Sequence, residues 1–227
     1  MKVIFSGLIN DATNKMGDVV ASHNRYGSFF RTRKDTPKNF SPYWYIIRDQ
    51  TAILRTAWKL LSESDRNLWN VSVSNFHRTD VLANPYHLSG ANYFIGININ
   101  RYLCGFPQLS TPPQRTFVPR LDSVSISTNV AGSLINIGLS APIPVNHSAK
   151  LWLSPAISPG INRPYHAMRL LKVCNNTFVT GSNIFADYIT RFVNLPAIGN
   201  KLFLKFILIN NITGLEGQPT TAFNFVT

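Results

Sequence analysis

Acidic residues are scarce in this chain: 10 Asp and Glu stand against 22 Lys and Arg over 227 residues. The net charge of +12 draws polyanions and acidic surfaces. So few carboxylates, spread along the whole length, leave no pair placed for acid–base catalysis. Cysteine is rarer still. Cys104 and Cys174 are the only two, and with no CxxC or Cys/His cluster they read as buried free thiols rather than a zinc site or disulfide framework. Long apolar runs are missing, and the opening MKVIFSGLIN is too short for a signal peptide. The expectation is a protein made in a cytoplasm, with no membrane partner. GxSxG, GxxxxGK(S/T) and GxGxxG are all absent. His23, His77, His87, His147 and His166 are scattered. His77 and His87 flank one segment beside Asp80, the nearest approach to a metal cluster, and an ordinary polar loop is the better reading. Neither an enzyme nor a bound cofactor is expected.

What is present is a core and an unusual arm. Hydrophobic residues make up 44% of the chain, enough for a globular interior. Fifteen Phe, 8 Tyr and 4 Trp are many for the size, which places some of them in interfaces. The arm is Gly17 to Asn39. Val19-Val20-Ala21-Ser22 and Ser28-Phe29-Phe30-Arg31-Thr32-Arg33 are β-prone runs around an Asn/Gly-bearing turn, the pattern of a hairpin. Alternation puts Phe29, Arg31 and Arg33 on one face and Phe30 and Thr32 on the other. Within residues 25–38, Arg25, Arg31, Arg33, Lys34 and Lys38 stand against Asp35 alone. Cations interleaved with Tyr26, Phe29 and Phe30 are the composition of interface centres, and base stacking uses the same pair. Such a charge run is also compatible with a solvated face. The protein interface is favoured because no helix-turn-helix, zinc finger or RNP motif accompanies the arm.

Around the arm, residues 3–9 read as a strand able to pair with the hairpin, and Asn10–Lys15 as a polar turn. Ser41-Pro42 starts a helix to about Leu61, with Trp44, Ile47, Thr51, Leu54, Trp58 and Leu61 on one face. A second helix restarts at Ser62–Asp65 with Leu68, Trp69, Val73 and Phe76 inward, giving a helical hairpin whose tryptophans pack on each other. Residues 77–88 form a loop. A third helix starts at Ser89, although Ile95, Ile97 and Ile99 alternate as a strand would. Gly105–Gln114 is Pro-rich and marks the boundary, dividing the chain into 1–106, a linker at 107–116, and 117–227. The last part holds short alternating runs at Val124–Thr128, Leu134–Leu139, Lys150–Leu153, Ala167–Val173, Leu202–Ile209 and Ala222–Val226. Ser182–Leu195 is a short helical or turn-rich excursion. This spacing predicts a β-sandwich with Trp152 in its core, and α+β as the fold class.

The opening Gly17-Asp18-Val19-Val20-Ala21-Ser22, Asn24-Arg25-Tyr26-Gly27-Ser28 and Arg31-Thr32-Arg33 with Pro37 resembles that of a group of uncharacterised tailed-phage and prophage proteins. In that group a GK-GG-VVAS-NR-GSY-R-R opening precedes a "W..L…R..W" helical pair. Here Lys15-Met16-Gly17 stands where a glycine pair is usual. Trp58-Lys59-Leu60-Leu61 through Arg66 to Trp69 matches the helical pair, and Asn84-Pro85 with Leu88-Ser89-Gly90-Ala91-Asn92-Tyr93-Phe94 matches its "NP..L.G.NLF". Leu153–Gly160 and Thr213–Pro219 resemble turns of that group's C-terminal immunoglobulin/fibronectin-III-like domain. The resemblance implies a non-enzymatic virion structural protein, capsid-, neck- (head–tail connector) or tail-associated, in the host cytoplasm during assembly. Its implied partners are other virion proteins, either many copies of itself or a capsid, portal or tail subunit. A second reading is an internal virion protein touching packaged DNA, and a third is a receptor- or carbohydrate-binding tip with Tyr165 near Arg163.

Overall fold

The computed structural model describes residues 14–16, 19–24, 27–32, 42–74, 77–79, 85–162 and 167–227. Within them the fold is α+β, with helices and antiparallel sheets. The first sheet runs β1 (Asn14–Met16), β2 (Val19–Asn24), β3 (Gly27–Thr32), in that order. The expected hairpin is therefore present, with Ala21 opposite Phe30, Ser22 opposite Phe29 and Val20 opposite Arg31. Asn14 and Lys15 correct the expected polar turn: they pair with Ala21 and Val20. Backbone N–H and C=O groups on the side of β2 away from β3 pair with β1 whatever its side chains. The strand expected at 3–9 lies outside the described residues.

Helix α1 (Pro42–Leu60) turns Leu54 inward with Trp58 half-buried, but leaves Trp44 largely exposed. Ser62 caps α2 (Glu63–Ser74), its Oγ accepting from the Asp65 N–H at 3.1 Å. Trp69 and Val73 point inward, whereas Leu68, expected beside them, faces solvent. Trp58 and Trp69 do not stack on one another. Each packs on Phe94 of α3 (Gly90–Leu103), at ring distances of 5.5 and 5.3 Å. The third helix is thus the shared centre of the module. Ser89 caps it, accepting from the Asn92 N–H at 3.2 Å. Phe94, Ile97, Asn98 and Arg101 are buried together at helical spacing, which resolves the strand alternative for 95–99. Between α2 and α3 the expected loop is a short ladder, β4 (His77–Thr79) on β5 (Pro85–His87), with His77 opposite His87.

The rest is two sheets around one apolar core. One has the order β10 (Ser182–Asn183), β7 (Leu134–Leu139), β6 (Val124–Asn129). The other has the order β12 (Thr220–Phe225), β11 (Lys201–Asn210), β8 (His147–Leu153), β9 (Arg169–Cys174). Ile126, Ile135 and Ile137 meet Leu151, Leu153, Leu204, Phe206 and Leu208 between them. The excursion after β10 is α4 (Phe185–Phe192), which drives Tyr188 into the same core. Trp152 is not a core residue. The pleat that buries Leu151 and Leu153 turns it to the opposite face, half-exposed.

The Pro-rich linker is fastened to the helices. The Asn98 amide brackets Leu109, accepting from its N–H at 2.7 Å and donating to its C=O at 3.2 Å. Arg101 Nε donates to the Pro107 C=O at 2.7 Å, and the Trp69 indole N–H to the Ser110 C=O at 2.7 Å. A segment without regular structure cannot satisfy its own carbonyls, so side chains of α2 and α3 do it.

Candidate functional site

The site expected from sequence is the arm, and three of its residues are described. Arg31 is exposed near the end of β3, with Phe29 two residues before it on the same face; both phenylalanines are half-buried. Phe30 lies on the other face, opposite Ala21, which is buried. Arg25, Tyr26, Arg33, Lys34 and Lys38 lie outside the described residues, as do Arg163 and Tyr165. Among the described residues, the main contacts of β1, β2 and β3 are with one another. The described residues of the arm form a ribbon with a cation and aromatic surface, and Ala21 is the buried side chain among them.

Helix α1 adds a surface that sequence reasoning passed over. Ile46, Ile53 and Leu60 recur every seven residues on an exposed flank of the helix, and Ile53 and Leu60 are 56% and 81% exposed. The heptad spacing was the available signal. It was hidden because the inward stripe through Leu54 and Trp58 is also apolar.

A buried polar cluster joins the helices to the sandwich. Lys150 Nζ on β8 donates to Asn100 Oδ1 at 2.5 Å and to Glu216 Oε1 at 2.6 Å. Asn100 Nδ2 donates to the Gly214 C=O at 2.8 Å. Arg101 Nη1 donates to the Asn211 C=O at 3.0 Å and to the Ile212 C=O. Burial pulls the Arg101 guanidinium below its ordinary pKa, while the nearby Cys104 works the other way. At the start of α1, burial first and the Asp187 carboxylate second push the Tyr43 phenol up.

The two cysteines, seventy residues apart in sequence, line one cavity of about 550 Å³ between the end of α3 and β9, together with Ser148, Lys172 and Phe178. Both are free. Burial pushes the Cys174 thiol up to about 12, against the opposing pull of Lys172. Burial also raises the Cys104 thiol, over a hydrogen bond from Ser148. Neither is therefore a thiolate nucleophile at neutral pH. A pKa raised in the folded state means the unfolded chain loses its proton first. Stability is then full below the ordinary thiol pKa of about 8.5 and falls as pH rises towards about 12. Urea midpoints should drop between about pH 8.5 and pH 11, and Cys174→Ala should flatten that drop. Tyr93 and Tyr188, also raised by burial, leave a residual slope in the variant. An identical slope in both proteins would contradict the assignment.

Among the described residues, no group of three or more His, Cys, Asp or Glu is arranged to hold a metal ion, and no helix is long and apolar enough to cross a membrane. No family model, curated protein or solved structure matches the chain.

Proposed function

We propose that this protein is a non-enzymatic structural component of a phage virion, capsid-, neck- or tail-associated, which docks on neighbouring virion proteins through its basic, aromatic arm. The observation that carries the reading is Arg31, exposed near the end of a ribbon whose main contacts are internal, with Phe29 beside it on one face. Guanidinium groups pair with carboxylates bidentately, and phenylalanines fill apolar hollows. The outward Ile53 and Leu60 on α1 support a protein neighbour over nucleic acid, since exposed aliphatic side chains gain nothing from phosphates. For the C-terminal unit, the strand order supports an immunoglobulin/fibronectin-III-like sandwich. Its first, second and fifth strands form one sheet and its third, fourth, sixth and seventh the other.

Arg31→Glu with Arg33→Glu is the test. Circular dichroism should show a folded protein, and quantitative mass spectrometry of purified particles should show its content reduced by about tenfold or more. Particles carrying the normal amount would refute the proposal.

A further inference from the structure

Strand β12 is patterned against expectation. Thr220, Ala222 and Asn224 turn inward, while Phe223 and Phe225 turn outward and are 57% and 44% exposed. Across the register, Phe203 lies opposite Phe223 and Lys201 opposite Phe225 on β11. The Phe203 and Phe223 rings lie 5.6 Å apart. Lys201 Nζ sits over both outward rings, 5.4 Å from Phe223 and 5.3 Å from Phe225, and donates to Asn162 Oδ1 at 3.1 Å. One row further, Lys205 Nζ lies 5.8 Å from the Trp152 ring. A water-exposed sheet face ordinarily carries polar side chains, and large exposed apolar patches mark binding surfaces.

We propose that this outer face of the four-stranded sheet binds single-stranded nucleic acid, with bases stacking on Phe223 and Phe225 and the backbone drawn by Lys201 and Lys205. Charge selects the ligand. Residues 117–227 hold 8 Lys and Arg against 3 Asp and Glu. Glu216 and Asp187 are taken by Lys150 and Lys172 at 2.6 and 3.0 Å, and Asp122 precedes β6 in the other sheet. The aromatic face thus has two ammoniums, Lys201 buried against the rings and Lys205 half-buried, and, among the described residues, no carboxylate against them. An apolar protein surface or a neutral sugar would leave those charges uncompensated. Phosphates answer them, and bases supply the π-faces that exposed rings receive. Two residues along a strand separate the rings' backbone positions by about 6.8 Å, and a flat pair of this kind suits bases splayed from a single strand, whereas a duplex hides its base faces. The site is separate from the arm, so its test does not depend on the arm's role.

The experiment is fluorescence anisotropy of the full chain with a labelled oligothymidylate of about 20 nucleotides, against a duplex of equal length at low salt. The wild type should prefer the single strand. Phe223→Ala with Phe225→Ala should weaken that binding by about tenfold or more. Phe223→Leu with Phe225→Leu, which keeps apolar volume without the stacking face, should weaken it similarly and guards against a folding defect. Lys205→Gln should reduce the log–log salt slope by about 0.7, and Arg31→Glu should leave the dependence on the rings intact. No binding, equal affinity for duplex and single strand, or Phe variants that bind like the wild type would each overturn the proposal.

Discussion

Trp69→Ala is expected to destabilise the protein by about 3–5 kcal/mol. The side chain is fully buried, with 0% exposure, and meets Tyr93 at 5.6 Å and Phe94 at 5.3 Å, edge-on to both. Truncation leaves a cavity at the centre of the three helices. It also removes the indole N–H that binds the Ser110 carbonyl, adding about 1 kcal/mol. Trp69→Phe separates the two contributions, since it keeps a ring but orphans the carbonyl, and about 1–2 kcal/mol is expected. Leu68→Ala, one residue away but facing solvent, should fall within about 0.5 kcal/mol of the wild type. Urea denaturation measures all three. A Trp69→Ala loss below about 1 kcal/mol would mean that the aromatic cluster is not what holds these helices together.

Gly214→Val should be as severe, for a different reason. Gly214 has φ of 72° in the loop between β11 and β12, and a Cβ there would stand 2.7 Å from the Ile97 carbonyl oxygen and 3.1 Å from Arg101 Cγ. A β-branched residue is strained in that conformation, and the helix backbone cannot retreat without breaking the Asn100 and Arg101 bonds to the loop. A loss of about 3 kcal/mol or more follows. Hydrogen exchange should accelerate in α3 and in residues 210–216, while β6 and β7 keep their protection. Gly160→Ala is the control, because nothing lies within 4 Å of its Cβ position. If Gly214→Val matched that control in stability and exchange, the close packing of helix on loop would be refuted.

Periodicity carried much of the architecture into view. Helix α1 follows from Leu54, Trp58 and Leu61 at helical spacing, α3 from Phe94 and Ile97 behind the Ser89 cap, and the hairpin from two β-prone runs around its turn. The runs after residue 117 became strands β6, β7, β8, β9, β11 and β12 with ends shifted by a few residues. What alternation cannot tell is which side faces in, and that is why Trp152 and the phenylalanines of β12 were legible as strand residues but not as a surface. Strand β1 was invisible because its pairing is backbone chemistry on a polar sequence. The Lys150 cluster was invisible for a third reason: its partners lie 50 and 66 residues away, and isolated polar side chains that meet across such distances leave no repeating signature. Of the arm, the charge and aromatic content were readable from composition; the exposure of Arg31 and the inward pairing of Phe30 with Ala21 needed coordinates.

The fastening of residues 107–110 to α2 and α3 has a mechanical corollary. A tether clipped down by Asn98, Arg101 and Trp69, with Lys150 and Gly214 bolting the far side, leaves no swivel between the helices and the sandwich. Whatever grips the helical end also aims the other, as a bracket aims the lamp screwed to it. Copies docked on a regular lattice, as proposed above, would therefore point their sandwiches in one direction, and averaged images would show them as sharp features in place of a smeared halo.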